Sequence, residues 1–506
     1  MSSATGPHGP PTAPQGPTAT SQGPPAPGGW RGNPWVSLVV LALGFFLTML
    51  DISIVNIAVP DIVEDFDAPL SDVLWAVNSY VLVVAVVLIA AGRLGDLYGP
   101  RRLFTAGIAV FTVFSLACGL AGNPAELIAA RALQGLGAGL LLPQTMAMIV
   151  VIFPAERRGA AMGIWGAVGG IAAVAGPSLG GLLVTARGWQ WIFMVNVPVG
   201  LAALVLTQLA VPDPRNSRRH RLDVGGIALA FGGLFCLTFA LMEGQRFDWA
   251  PWIIALLMLS AGIAYWFLRH ERRRQDQEPL VPFALFRDRD YTAMNVVAAS
   301  VSLGVIALML LLTMFFQSVL GFSALEAGLA LAPAAVISTV LAPFSGRFSD
   351  RFDGKHILLA GFGLTAAGMA LALPVMDTGA DWWAFVPPLV VIGCGNGLLI
   401  SPMATVAMRG VRPQLAGAAS GVLSTVRQLG AVLGVAVVGL FLQSRLPDPA
   451  DTGAALAGHA DSVRAGMAIP LTAVVIGAIA CLPTRRTRTA GTAKPVAAPA
   501  ATGEKA

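Results

Sequence analysis

Charge is the first thing this chain lacks. Of its 506 residues only 12% are Asp, Glu, Lys or Arg, while 56% are hydrophobic, so the charged fraction is about half that of an ordinary soluble domain. A water-soluble globular protein is excluded, and the composition is that of a chain dissolved in a bilayer. Lysine occurs only as Lys355, Lys494 and Lys505. None of them follows a GxxxxGK[ST] phosphate loop, which argues against an ATP-driven pump. None of the histidines His8, His220, His270, His356 and His459 falls deep in an apolar run. HExxH does not occur, and the one GxSxG match, GPSLG at Gly176–Gly180, lies inside an apolar run and not at a strand-to-helix turn, so a membrane-embedded hydrolase has no legible active site. Cys118, Cys236, Cys394 and Cys481 stand inside apolar runs without paired spacing; free thiols are expected, with no disulfide and no metal site. The net charge of +5 would raise nucleic acid as a partner in a soluble protein. Here the placement of the cations matters more than their sum, and no nucleic-acid partner is expected.

What is present is apolar length. A spanning helix needs about 20 mainly apolar residues, and fourteen such runs can be read between residues 36 and 483, among them 36–58, 73–92 and 327–345. The first 34 residues are rich in Pro, Gly, Ser and Thr, without the basic start and apolar core of a signal peptide. They are expected to be a disordered tail, as is 484–506. Taking both tails and alternate loops as one side collects 26 of the 32 Lys and Arg residues, against four on the other side, with Arg131 and Arg427 inside spans. Positive residues remain cytoplasmic, so both termini are expected inside the cell.

The runs repeat. Gly92–Arg102 reads GRLGDLYGPRR, and Gly346–Lys355 reads GRFSDRFDGK, 254 residues later. Gly135 opens GLGAGLLLP and Gly159 opens GAAMG; GCGNGLLISP from Gly393 and GAASG from Gly417 follow at an offset of 258. Both copies of each motif face the same side, so the repeat is parallel. The expected organisation is a six-helix half at 35–211, a linker with two inserted helices at 212–290 and a second six-helix half at 291–483, an all-α membrane fold with a central site between the halves.

Five motifs in order then carry a resemblance: LDISIVNIAVP at Leu50–Pro60, GRLGDLYGPRR at Gly92, RALQGLGAG at Arg131, GPSLGG at Gly176 and WQWIFMVNVPVG at Trp189–Gly200. The chain resembles the 14-helix drug:proton antiporters of the major facilitator superfamily. The resemblance implies export of a small amphipathic compound, such as an antibiotic, across a bacterial plasma membrane, driven by a proton gradient without a cofactor, by a chain that functions as a monomer. It implies that Gly176, Pro177, Gly180 and Gly181 form the antiporter element, expected as a tight, bent contact against the other half. A rival reading within transport is an uptake symporter, which GPSLGG disfavours.

Particular residues follow. Asp51 is the only acid well inside a span, and such a carboxylate is costly unless paired, protonated or facing water. It lies nine residues inward from Pro60, and Arg131 lies eight inward from Asn123; at ~1.5 Å per residue the two are level. They are expected to pair in the proton-free state, and the resemblance implicates Arg131, followed by Gln134, in proton transfer. Gly92, Arg93, Gly95, Asp96, Gly99, Arg101 and Arg102 are read as a conformational gate or, alternatively, a positive-inside anchor. The resemblance directs Asp96 to the helix starting near His356, and the second copy, with Ser349 for Gly95 and Asp353 for Gly99, is the weaker gate. Asn56, Asn78, Gln134, Trp165, Asn196, Gln317, Asn396 and Arg427 are candidates for a large, mostly apolar cavity, with Trp75, Tyr80, Met194, Phe315 and Phe316 beside them. Arg427 meets substrate or only backbone carbonyls. Glu243, Glu326 and Asp248 are expected to reach water at outer span ends, and Trp189 and Trp191 to anchor the membrane interface.

Overall fold

The structure is a computed structural model that describes residues 33–213, 223–277, 279–377, 379–445 and 452–484. The tails therefore lie almost wholly outside the described residues. The first half contains α1 (Pro34–Phe66), α2 (Leu70–Tyr98), α3 (Pro100–Gly119), α4 (Pro124–Ile152), α5 (Arg158–Arg187) and α6 (Trp191–Ala210). Two helices follow, α7 (Val224–Glu243) and α8 (Pro251–Arg273). Then come α9 (Arg289–Ser318), α10 (Ala324–Ala330 continued by Ala332–Arg351), α11 (Gly354–Ala372), α12 (Val386–Arg409), α13 (Ala416–Gln443) and α14 (Thr452–Gly466 continued by Ala468–Cys481).

Local chemistry sets the helix ends. Asn33 caps α1 through the Trp35 N–H at 2.9 Å, with Pro34 in the first turn. Asn123 does the same for α4 through Glu126 N–H, with Pro124 behind it. Within lipid every backbone polar group must be satisfied inside its own segment, and long helices do that.

Thirteen helices among the described residues are long and apolar enough to span a membrane. The fourteenth run, expected at 327–345, is α10. It breaks at Leu331 ahead of Pro333 and carries Arg347, Ser349 and Asp350 in its last turns, which lowers its apolarity. It keeps its place against α5 and α12. The repeated motif at Gly92 is mostly helix: α2 runs to Tyr98, and the chain reverses only at Gly99, whose φ of 97° favours glycine, before Pro100 starts α3.

The halves meet along two related seams. One joins α2 to α13 and the other joins α10 to α5. The inserted pair is peripheral. α7 packs on α2 and α13, while α8 packs mainly on α7 and buries only Ile253, Ser260 and Glu271.

Candidate coupling and gating sites

Asp51 sits in a closed cage built by five helices of the first half. Its Oδ2 lies 2.5 Å from Arg131 Nη1, and its Oδ1 accepts from Gln134 Nε2 at 2.9 Å and Asn196 Nδ2 at 3.2 Å. Arg131 also donates from Nη1 to Gln134 Oε1 at 2.8 Å and from Nε to the Ala76 carbonyl at 3.2 Å. Its guanidinium lies 4.2 Å from the centre of the Tyr80 ring. Asn196 is steadied by Ser115 at 3.1 Å, whose hydroxyl donates to the Phe193 carbonyl. Asp51 and Gln134 are 0% exposed, Arg131 and Asn196 1%. The cage thus holds one charge pair, with hydrogen bonds replacing lost water. Chemically it can take up one proton on Asp51, which leaves Arg131 without its counter-charge.

At the end of the bundle where α2 meets α3, two carboxylates reach across to opposite halves. Asp96 accepts the N–H groups of Gly417 and Ala418, each at 2.7 Å, at the start of α13. Asp350 accepts those of Gly159 and Ala160, at 2.7 and 2.8 Å, at the start of α5. Both exploit the unsatisfied N–H groups and positive end of a helix. The partner of Asp96 is therefore α13, not the helix beginning near His356, and the second copy makes the same contact as the first despite Ser349 and Asp353. Its Asp350 needs neither of the replaced glycines to reach a helix start.

Close backbone approach makes these contacts possible. A Cβ on Gly92 would fall on the Gly417 carbonyl, and one on Gly346 on the Gly159 carbonyl. Gly421 and Gly163 continue the two seams against Gly92 and Ala342. Gly95 faces Gln144, whose amide donates to the Ala91 carbonyl at 2.8 Å. Arg93 and Asp96 are buried, so neither is merely an exposed anchor. Arg101 binds Gln208 at 2.9 Å, and exposed Arg102 faces Asp213 at 3.8 Å. The sequence reading missed Gly159, Ala160, Gly417 and Ala418 as carboxylate receptors. Their signal was present in the GAAMG and GAASG repeat.

The element at Gly176 lies elsewhere than expected. Gly176 and Gly180 pack against Ser53 and Ile54 of α1, within the same half, and Ser53 Oγ donates to the Ala172 carbonyl at 3.2 Å. Gly181 has no heavy atom within 4 Å of an added Cβ. The part of α5 that meets the other half is nearer the Asp350 contact: Gly163 faces Ala342 and Pro343, and Gly170 faces Thr339. Pro177 lies inside α5 without ending it.

The cavity candidates scatter. Trp165 and Arg427 come together across the halves, with the guanidinium 5.7 Å from the indole centre, and Trp165 stacks on Phe45 at 4.3 Å and donates to Thr145. Gln134 and Asn196 spend their side chains on Asp51. Asn56 and Gln317 are exposed, Asn396 is buried among second-half helices, and Asn78 faces Glu243. Glu243 does not reach water, being 2% exposed, whereas exposed Glu326 closes a capping box with Ser323. Trp189 is interior and donates to Asp65 at 2.8 Å; Trp191 is exposed beside Arg187.

Comparison with known proteins places this architecture. The family description "Major Facilitator Superfamily" matches residues 41–226 and 224–435. An uncharacterized transporter of that type from Mycobacterium tuberculosis is 42% identical over 82% of this chain and 71% of its own length. A tetracenomycin C resistance and export protein from Streptomyces glaucescens is 37% identical over 83% of this chain and 78% of its own. A solved proton:xylose symporter superposes with a TM-score of 0.60 at 16% identity, covering 87% of this chain and 94% of that one.

Proposed function

Since this chain belongs to the major facilitator superfamily, we propose that it is a proton-driven exporter of amphipathic drugs in a bacterial cell membrane, with both termini in the cytoplasm. The resistance and export function named for the tetracenomycin relative supports the cargo class. The observation that carries the coupling is the sealed Asp51–Arg131 pair. A proton arriving from outside neutralises Asp51, the ion pair is lost, and Arg131 must find new partners. That change biases the chain from one state to the other, as differential binding of any ligand does.

The two latches set what those states are. In this conformation Asp96 and Asp350 both hold the cytoplasmic ends of α13 and α5 shut, which corresponds to a carrier facing outward. Opening the latches exposes a central site bounded by Trp165 and Arg427 to the cytoplasm. The halves at 35–211 and 291–483 rock about that site, and the chain works as a monomer on the gradient alone, without a cofactor. The experiment is ethidium accumulation in cells with and without the protein, repeated with an uncoupler. Exclusion of the dye that disappears on uncoupling is the expected result. Gradient-driven accumulation would indicate symport and overturn the reading.

A further inference from the structure

Glu243 ends α7, the inserted helix that packs on both α2 and α13. Its side chain is 3% exposed, with Asn78 Nδ2 3.5 Å from Oε1 and Arg246 Nη1 3.5 Å from Oε2. A buried carboxylate loses several kcal/mol of hydration unless partners replace it. Two donors at that distance replace little, whereas Asp51 has three donors within 3.2 Å.

The level of Glu243 is also informative. Asn78 lies eight residues from the start of α2 at Leu70, and Arg131 lies eight from Asn123 before α4; at ~1.5 Å per residue they stand at one depth. The same stretch of α2 serves both sites. Ala76 and Tyr80 contact Arg131, and Asn78 between them contacts Glu243. The chain beyond Glu243 is turned back by left-handed Asp248 and Trp249, at φ of 46° and 51°. That turn is fastened to α13, through Gln245 to the Ala436 carbonyl at 3.3 Å and Gln443 to Asp248 at 3.1 Å. Facing Glu243, α2 presents neutral Asn78 and α13 holds the adjoining turn through neutral groups. Arg246, whose side chain is 42% exposed, is its charged neighbour.

We propose that Glu243 is a second proton-binding carboxylate of the transport cycle, level with Asp51 and linked to it through α2. The proposal rests on the antiport reading. In each cycle one proton adds to a Glu243 oxygen and one to Asp51, and both leave on the cytoplasmic side. Two protons entering for one monovalent cation leaving moves one net positive charge inward. One proton for one cation moves none.

The test uses purified full-length protein in liposomes, with ethidium as the monovalent cation and a potassium–valinomycin potential imposed alone or beside a pH gradient. Wild type is expected to respond to both. Glu243→Gln is expected to keep the response to the pH gradient and lose all acceleration by potential; Glu243→Asp, which keeps the carboxylate, recovers it. Potential-sensitive transport by Glu243→Gln would overturn the proposal. So would a wild type that responds to the pH gradient but not to potential, a measurement that needs no variant. A wild type indifferent to the pH gradient would sink the antiport reading itself.

Discussion

Asp96 and Asp350 hold equivalent posts in opposite halves, each carboxylate accepting two successive backbone N–H groups from the first turn of a helix across the seam. A carboxylate at a helix start contributes up to about 2 kcal/mol in partly buried positions. Asp96→Asn and Asp350→Asn should each shift the population toward the latch-open state, and the double variant should shift it further. Distances between spin labels on the two halves at the latch end report this. Unchanged distances in the double variant would remove the latches from the mechanism.

The glycines of α5 separate contact from family pattern. Gly176→Ala would drive a Cβ into Ser53 Oγ, while Gly181→Ala meets nothing within 4 Å. Efflux should fall with the first and persist with the second. Equal loss in both would mean that Gly181 has a partner only in another state of the cycle.

At Asp51, stability and coupling can be measured separately. Asp51→Asn strands the buried Arg131 charge, at a cost of about 3–5 kcal/mol, and should lower Tm and abolish the response to the proton gradient. Adding Arg131→Gln removes the stranded charge and should recover Tm without recovering the response. Gradient-driven efflux by either variant would contradict the coupling role.

The joint between α7 and α8 carries a pH prediction. Asp223 caps α7; burial alone would raise its pKa, but the Gly226 N–H, His270 at 2.9 Å and Arg274 at 3.0 Å hold it below the ordinary carboxylate value. A depressed folded value stabilises fully above the unfolded pKa of about 3.9 and is lost as pH falls through the folded value. The Tm difference between wild type and Asp223→Asn should therefore be present above the carboxylate range and vanish in strong acid. A difference independent of pH would refute it.

At the centre, Trp165 stacks on Phe45 and underlies Arg427. Trp165→Ala should change which dyes are exported more than how strongly export responds to the gradient. Dye-by-dye resistance profiles measured beside a common pH profile would distinguish the two.

Much of this was legible because lipid makes sequence explicit. Apolar length gave the spans, and depth counting brought Asp51 level with Arg131. Period counting does not give azimuth, so it could not tell that Gln134 and Asn196 turn toward Asp51 and not toward a cavity. Nor could it show that the Gly176 element faces α1. The choice of α13 over α11 as the partner of Asp96 depends on how the halves dock, although the Gly159 and Gly417 repeats were its trace. Glu243 read as a shallow helix end because its burial against Asn78 of α2 depends on how the inserted helix docks, which has no pattern of its own.

The Asp51 cage closes within one half, whereas Trp165 and Arg427 meet between the two. Under the proposed function, the Asp51 proton site and the Trp165–Arg427 cargo contact stand on different elements of the fold. On that proposal, substitutions at Trp165 or Arg427 alter which compounds are exported while the contacts around Asp51 stay in place. For a cell confronted with an unfamiliar antibiotic, that separation makes a new resistance a short evolutionary step.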